Sequence, residues 1–367
     1  MSLSVGIVGL PNAGKSTLFN ALTRAHAAVG AFPFTTIDPS TGVVPVPDPR
    51  LERLARVFQP PRVIPATVTF TDIAGLVRGA HRGEGLGNQF LGHIRSADAI
   101  AFVLRCFSAS DVGHVEGEVD PIRDLEILEL ELALADLATL ERRLDRVGRV
   151  ARAGAGGKQA RSEVELIERL RQELEKGRPA RRIEVAEEEA ALLREFQLLT
   201  AKPVVVVGNV DEDSLQGELP AAALPVRERA LEAGAEFVAV SAKLEAELAE
   251  LEPAEAQEFL FQLGLSETGL GQLSAAGYRA LSLITFFTAG EKEVRAWTVR
   301  QGASAVEAAA AIHTDFAKGF IRAEVCRWDE LVAAGGYAGV RERGQRRLEG
   351  RDYLTQDGDV MHFLFNV

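Results

Sequence analysis

The chain has 367 residues, 47% hydrophobic and 26% charged, enough to bury two or three domain cores. Its net charge of −12 argues against uniform coating by nucleic acid, it holds no apolar run of membrane-spanning length, and no leader ahead of its first strand is expected. Two cysteines, Cys106 and Cys326, offer no disulfide framework, and six scattered histidines offer no zinc-type spacing, so a reducing cytoplasm is expected, without a membrane partner.

The first element is a buried strand, Val5-Gly6-Ile7-Val8, followed by Gly9-Leu-Pro-Asn-Ala-Gly-Lys-Ser-Thr17 and a helix through Leu18–Leu22. This is the G-x-x-x-x-G-K-[ST] phosphate loop with a strand before it and a helix after it. Gly9 and Gly14 permit a tight turn, and the backbone N–H groups of Asn12, Ala13 and Gly14 are placed to meet phosphate oxygens. Lys15 supplies a point charge for the β- and γ-phosphates. Ser16, beside Thr17, offers a hydroxyl to Mg²⁺, and the helix presents its positive end to the anion. The chain is therefore expected to bind a nucleoside triphosphate.

Phe34-Thr35-Thr36-Ile37 stands where a switch threonine would reach Mg²⁺; Thr36 is favoured, with Thr35 as the alternative. A strand near 42–46 and another over Ala66–Thr71 lead to Asp72-Ile73-Ala74-Gly75. Asp72 is placed to hold Mg²⁺ through water, and the Gly75 N–H to meet the γ-phosphate. Glycines 79, 83, 85 and 87 behind it suit a mobile switch. Many GTPases carry a water-orienting glutamine after D-x-x-G; Leu76 cannot play that part, so slow turnover is expected. Asn12 and His114 are the polar alternatives, His114 lying in a loop after the Ala99–Leu104 strand.

Residues 122–200 read as helical. Leu137, Leu140, Leu144 and Val147 match Val164, Ile167, Leu170 and Leu174 across Gly154–Gly157, the pattern of an antiparallel hairpin. A helix of about 28 residues spans about 40 Å, enough for an arm. Between Glu141 and Arg182 thirteen Lys/Arg face seven Asp/Glu, a basic segment in an acidic chain and the motive for an RNA partner.

The strand Pro203–Gly208 ends in Asn209-Val210-Asp211-Glu212, and Glu236–Val240 ends in Ser241-Ala242-Lys243. These stand where a GTPase carries Asn-Lys-x-Asp and Ser-Ala-Lys. Val210 replaces the lysine over the base, and Glu212 replaces the aspartate that accepts both guanine N1–H and N2–H₂. One extra methylene moves that carboxylate by about 1.3 Å, which a bidentate contact tolerates poorly. Adenine is expected in preference to guanine. Near-continuous apolar strands alternating with helices give an α/β fold, a mostly parallel sheet with helices on both faces and the nucleotide beyond the strands' carboxyl ends. Beyond residue 280, strands over Leu281–Thr288 and Glu293–Val299, a helix over Ala303–His313 and strands near Ile321–Val325 and Val360–Val367 form a compact mixed-β module.

These motifs, together with Phe32-Pro-Phe-Thr-Thr-Ile37, Gly83–Leu91, His114–Pro121, Gly350-Arg-Asp-Tyr353 and Gln356–Met361, resemble the Obg-like ATPases of the YchF type over essentially the whole chain. The resemblance implies a P-loop NTPase G domain over 1–121 and 201–280, a coiled-coil insertion over 122–200, and a TGS domain of β-grasp fold over 281–367. It implies an ATPase, with ATP preferred to GTP, Mg²⁺ dependence, slow hydrolysis with Leu76 at the glutamine position, and ribosome association. It also gives His114 a part in hydrolysis beside Lys15 and Gly75, and makes Asn12 a K⁺ position. Asn209, Val210, Glu212, Ser241 and Ala242 are the expected base-side residues. Ala31-Phe32, Val306 and Cys326-Arg327-Trp328 depart from the family pattern without touching the phosphate chemistry. A monomeric switch binding ribosome or ribosomal RNA, not DNA, is the leading expectation. The alternatives are a guanine-specific GTPase and an RNA-binding adaptor in which nucleotide is structural.

Overall fold

The computed structural model describes residues 3–28, 41–73, 86–107, 118–152 and 157–366. The chain opens with β1 (Ser4–Val8), α1 (Lys15–Ala28), β2 (Thr41–Pro45), α2 (Pro49–Phe58), β3 (Val63–Ile64) and β4 (Thr67–Asp72). There follow α3 (Leu86–Ser96), β5 (Ala99–Arg105), α4 (Pro121–Arg152), α5 (Gly157–Glu175), α6 (Glu187–Phe196), β6 (Val204–Asn209), α7 (Leu224–Glu232) and β7 (Glu236–Val240). Three helices, α8 (Ala242–Leu248), α9 (Pro253–Gln262) and α10 (Gly269–Ala280), precede the hairpin of β8 (Leu283–Ala289) and β9 (Val294–Arg300). The last elements are α11 (Ala305–Ile312), α12 (Thr314–Lys318), β10 (Phe320–Arg327), α13 (Trp328–Ala333), α14 (Tyr337–Glu342), β11 (Arg347–Glu349) and β12 (Asp359–Phe365). No helix among the described residues is long and apolar enough to cross a membrane.

The chain divides into two compact units, Met1–Gly42 with Thr69–Leu273, and Val43–Val68 with Ser274–Val367. The first is built on a six-stranded sheet in the order β2-β4-β1-β5-β6-β7. β1 runs parallel to both β4 and β5, β5 to β6, and β6 to β7. β5 and β6 are buried at every position, which explains why each is apolar up to its last residue, Arg105 and Asn209. One core joins Val8, Phe102 and Val206 of the sheet to Ile94 of α3, Leu128 of α4 and Val226 of α7.

α4 and α5 pack antiparallel, as expected: Arg143 pairs with Glu163 while Glu141 meets Arg171. Leu140, Ile167, Leu170 and Leu174 are buried between them, with Leu137 and Leu144 alongside. Their root is pinned by Asp136, a fully buried carboxylate that accepts from the Leu199 and Thr200 N–H groups, both at 2.8 Å, and from the Thr200 hydroxyl at 2.7 Å. These helices belong to the first unit and do not separate as a third.

The second unit carries a mixed six-stranded sheet, β11-β10-β12-β8-β9-β3. β8 and β9 are antiparallel, β12 joins β8 in parallel, and α11 lays Ala305, Ala308 and Ala309 against Phe286, Val325 and Phe363 in a β-grasp arrangement. This unit is larger than the sequence suggested. β3 pairs in parallel with β9 through Val63 and Val294, and α2 buries Leu51 and Leu54. α2 has a clear local start: the Asp48 side chain accepts from the Arg50 N–H and proline occupies the first helical turn. Arg50 then bridges Asp48 (2.8 Å) and Asp357 (2.5 Å). Residues 43–68, expected in the nucleotide domain, thus belong with the C-terminal sheet, and the later boundary falls inside α10 and not at residue 281.

Candidate nucleotide-binding site

The phosphate loop leaves the buried carboxyl end of β1, and its two glycines have different reasons to be glycine. A Cβ on Gly9 would lie 2.6 Å from the Val103 carbonyl oxygen of β5, so Gly9 serves close packing of the loop on the sheet. Gly14 has φ +89°, and a Cβ there would lie 2.1 Å from Asn209 Nδ2. Asn12 also adopts a positive φ, 65°. Ala13 is buried, while Asn12, Ser16 and Thr17 are exposed at the start of α1. Asn12, Gly14, Lys15, Ser16 and Thr17 line a cleft of about 460 Å³. Lys15 is 9% exposed, and its Nζ lies 2.5 Å from Asp72 Oδ1 at the end of β4. The loop lysine and the carboxylate expected at Mg²⁺ are therefore side by side.

A second cleft, of about 490 Å³, shares Gly14 and Thr17 with the first and continues to Glu212 and Lys243. Asn209 joins the two ends. Its Nδ2 donates to the Ala13 carbonyl and its Oδ1 accepts from the Ala242 N–H, both at 3.0 Å, and the residue is 5% exposed. The base-side loops are thereby tied to the phosphate loop by one amide.

Val210, expected among the base-side residues in place of a lysine, lines the base-side cleft. It is 2% exposed, its side chain belongs to the sheet core, and its N–H donates to the Val240 carbonyl at 2.9 Å. Ser241 caps α8, its Oγ accepting from the Leu244 N–H. α8 is braced from its other side by Glu245, 2% exposed, which accepts from the Gly269 N–H at 2.7 Å. Burial pushes the Glu245 carboxyl up to about 7, against the backbone hydrogen bonds from Gly269 and Leu270. Gly269 is a required close approach, since a Cβ there would stand 2.9 Å from Val240 Cγ1.

Two cleft residues carry no base-reading role in the sequence reading. Phe107 follows β5, with the buried Arg105 guanidinium 4.7 Å from its ring centroid. Its only sequence signal is an aromatic residue just past the carboxyl end of a buried strand, where ligands of such sheets gather. Lys243 reaches back from α8 to Glu212, with Nζ 3.0 Å from Oε1, and lies 3.8 Å from Glu247. The carboxylate of Glu212 is the main cause raising the Lys243 ammonium above its ordinary value.

Thr35, Thr36, Gly75, Leu76 and His114 lie outside the described residues. Among the described residues no group of three or more His, Cys, Asp or Glu gathers around a metal position. The Ser16 hydroxyl at the start of α1 and the Asp72 carboxylate at the end of β4 are hard oxygen donors, a set suited to Mg²⁺ that also binds phosphate and water.

Residues 4–139 match the family described as 50S ribosome-binding GTPase, and residues 283–366 match the YchF GTPase C-terminal family, described as a protein of unknown function (DUF933). The protein named ribosome-binding ATPase YchF from Bacillus subtilis (strain 168) is 50% identical over 370 residues, covering 100% of both chains. Its namesake from Haemophilus ducreyi is 51% identical over 371 residues, again covering 100% of both. The solved YchF GTPase of Schizosaccharomyces pombe superposes with a TM-score of 0.89 at 36% identity, over 99% of this chain and 98% of that one. With a phosphate cleft at β1, an Asn209-to-Glu212 loop at β6 and likeness along its whole length, this chain belongs to the YchF family.

Proposed function

We propose that the chain is a ribosome-associated switch that binds ATP with Mg²⁺ and hydrolyses it slowly to ADP and phosphate. The observation that carries this reading is the continuity of the two clefts through Gly14, Thr17 and Asn209, ending at Glu212 where a guanine reader would carry aspartate. The relatives' shared name, ribosome-binding ATPase, supports both the nucleotide and the partner.

In this reading Lys15 leaves Asp72 for the β- and γ-phosphates as the triphosphate enters, which frees the carboxylate of Asp72 to face the metal. Ser16, and Asp72 through water, would hold Mg²⁺, which would supply charge neutralisation to the phosphates. The backbone N–H groups of Asn12–Gly14 orient the phosphate chain, and Ser241, Ala242 and Asn209 hold the base loop in place. Thr36, Gly75 and His114 are proposed to complete the hydrolytic site, and Asn12 to admit K⁺.

The partner reading concerns the basic helices. Arg143, Arg169, Arg171, Lys176, Arg178 and Arg181 all meet carboxylates. Arg142, Arg146, Arg149, Lys158 and Arg161, at the C-terminal end of α4 and the start of α5, are exposed and have no carboxylate partner among the described residues. That end is the proposed RNA contact of a cytoplasmic monomer.

The GTPase wording of the Schizosaccharomyces pombe structure and of the N-terminal family favours a second reading, guanine specificity. Titrating ATP and GTP into nucleotide-free protein separates the two, and a clear GTP preference overturns the first. If Lys15→Ala left ribosome association and its nucleotide response untouched, the chain would be an adaptor.

A further inference from the structure

Lys243 is exposed over 76% of its side chain, yet it is not a free surface cation, because its ammonium rests on Glu212 Oε1. That oxygen is shielded from solvent and lies 3.0 Å from the ammonium, an ion pair that takes at most one of the three N–H donors of Lys243. The rest of the Glu212 side chain is about one-third exposed, at 32%, and faces the base-side cleft that both residues line. The placement is held from below: the Ala242 N–H is fixed on Asn209, Ser241 caps the helix, and Glu245 anchors its next turn.

We propose that Lys243 and Glu212 read the base as a pair, with Lys243 the specificity-determining partner that matches the pair to adenine and sets it against guanine. Donor and acceptor counts set the match. Guanine presents N1–H and N2–H₂ side by side and needs both carboxylate oxygens. With Oε1 engaged by the ammonium, Glu212 has one oxygen to offer, which suits the single donor group of adenine, N6–H₂. The three N–H donors of Lys243 suit the adjacent acceptor, adenine N1, and oppose guanine N1–H. The extra methylene of Glu212 then has a use beyond misplacing a carboxylate, since it carries the side chain to the lysine.

This inference rests on the ATP reading of the site, and its test keeps the two apart. Full-length, nucleotide-free protein is titrated with ATP, GTP and 1-deaza-ATP, in which the N1 acceptor is replaced by C–H. In the parent protein ATP binds more tightly than GTP, and 1-deaza-ATP is weakened about tenfold, the lower end for one hydrogen bond to a charged group, as suits a partly exposed site. In Lys243→Ala the ATP-to-GTP ratio falls by about tenfold and the 1-deaza penalty disappears. Lys243→Arg, which keeps charge and donors, retains most of both. A parent that prefers ATP alongside a Lys243→Ala variant with unchanged ratio and penalty would overturn the role of Lys243 and leave the ATP reading standing. A parent that prefers GTP, or neither nucleotide, overturns the ATP reading and this inference with it.

Discussion

The phosphate end and the base end of the cleft are made in opposite ways. The phosphate end is one contiguous stretch from Gly9 to Thr17, with its geometry set by two positive-φ positions and the start of α1. The base end is assembled from Phe107 after β5, Glu212 after β6 and Lys243 after β7, residues brought together only when three strands lie in parallel. The side-chain amide of Asn209 joins them. Contiguous sequence therefore secures the grip on phosphate, whereas the choice of base depends on tertiary register.

The largest effect expected on this contrast comes from Gly14→Ala, which strikes both ends. A left-handed φ costs a non-glycine residue about 1 kcal/mol, and the new methyl group displaces Asn209 as well. ATP affinity is expected to fall more than about 100-fold, and inorganic triphosphate, which has no base, to weaken with it. Retained triphosphate binding would mean that Asn209 yields without disturbing the loop.

Next in size is a pH effect confined to the base end. Burial sets Glu245 at about 7, above its ordinary 4.5, so the folded state holds this proton more tightly than the unfolded chain does. The stability this contributes is complete below 4.5 and is lost as pH rises through 7. From pH 5 to 8 the parent should lose about 2–3 kcal/mol relative to Glu245→Gln, measured by denaturant unfolding at each pH. Parallel stability profiles would remove Glu245 as a titrating prop under α8.

Asn209→Ala leaves a buried carbonyl at Ala13 and a buried N–H at Ala242 without their partner, at a cost of about 2 kcal/mol. ATP and inorganic triphosphate should both bind less tightly, ATP the more so. An effect on ATP alone would show that Asn209 serves the base and not the junction. The smallest effect lies away from the cleft. Replacing Arg142, Arg146 and Arg149 by Gln should lower the salt dependence of ribosome binding by up to about three ions released. The same change at Arg169, Arg171 and Arg178, already held by carboxylates, should leave that slope nearly unchanged.

The phosphate loop was legible because all its chemistry sits in nine consecutive letters, and the α4–α5 hairpin because its apolar spacing recurs on both strands of the turn. Asn209, Ser241 and Ala242 were legible as strand-end residues. Their duties as bracket and cap were not, because a hydrogen bond between β6 and α8 leaves no mark on spacing. Val210 illustrates the limit: its place after Asn209 marks it as a base-side residue, but spacing does not say that it lines the cleft and packs into the sheet core at once. Residues 43–68 show a second limit. Asp48-Pro49 announces a helix start and Leu51 and Leu54 an apolar face, but neither says which of two sheets that face will cover.

That last feature bears on the order in which the protein can be completed during synthesis. α2 and β3 emerge early, yet the strand that β3 pairs with, β9, is made only after the whole nucleotide unit. At about 5–20 residues per second the wait exceeds ten seconds, during which Leu51 and Leu54 have no native cover. The nucleotide unit can close over its own strands while this segment is held in reserve. A C-terminal fragment starting at residue 281 would be born without its first helix and its edge strand, and would be expected to need residues 43–68 supplied in trans to reach full stability.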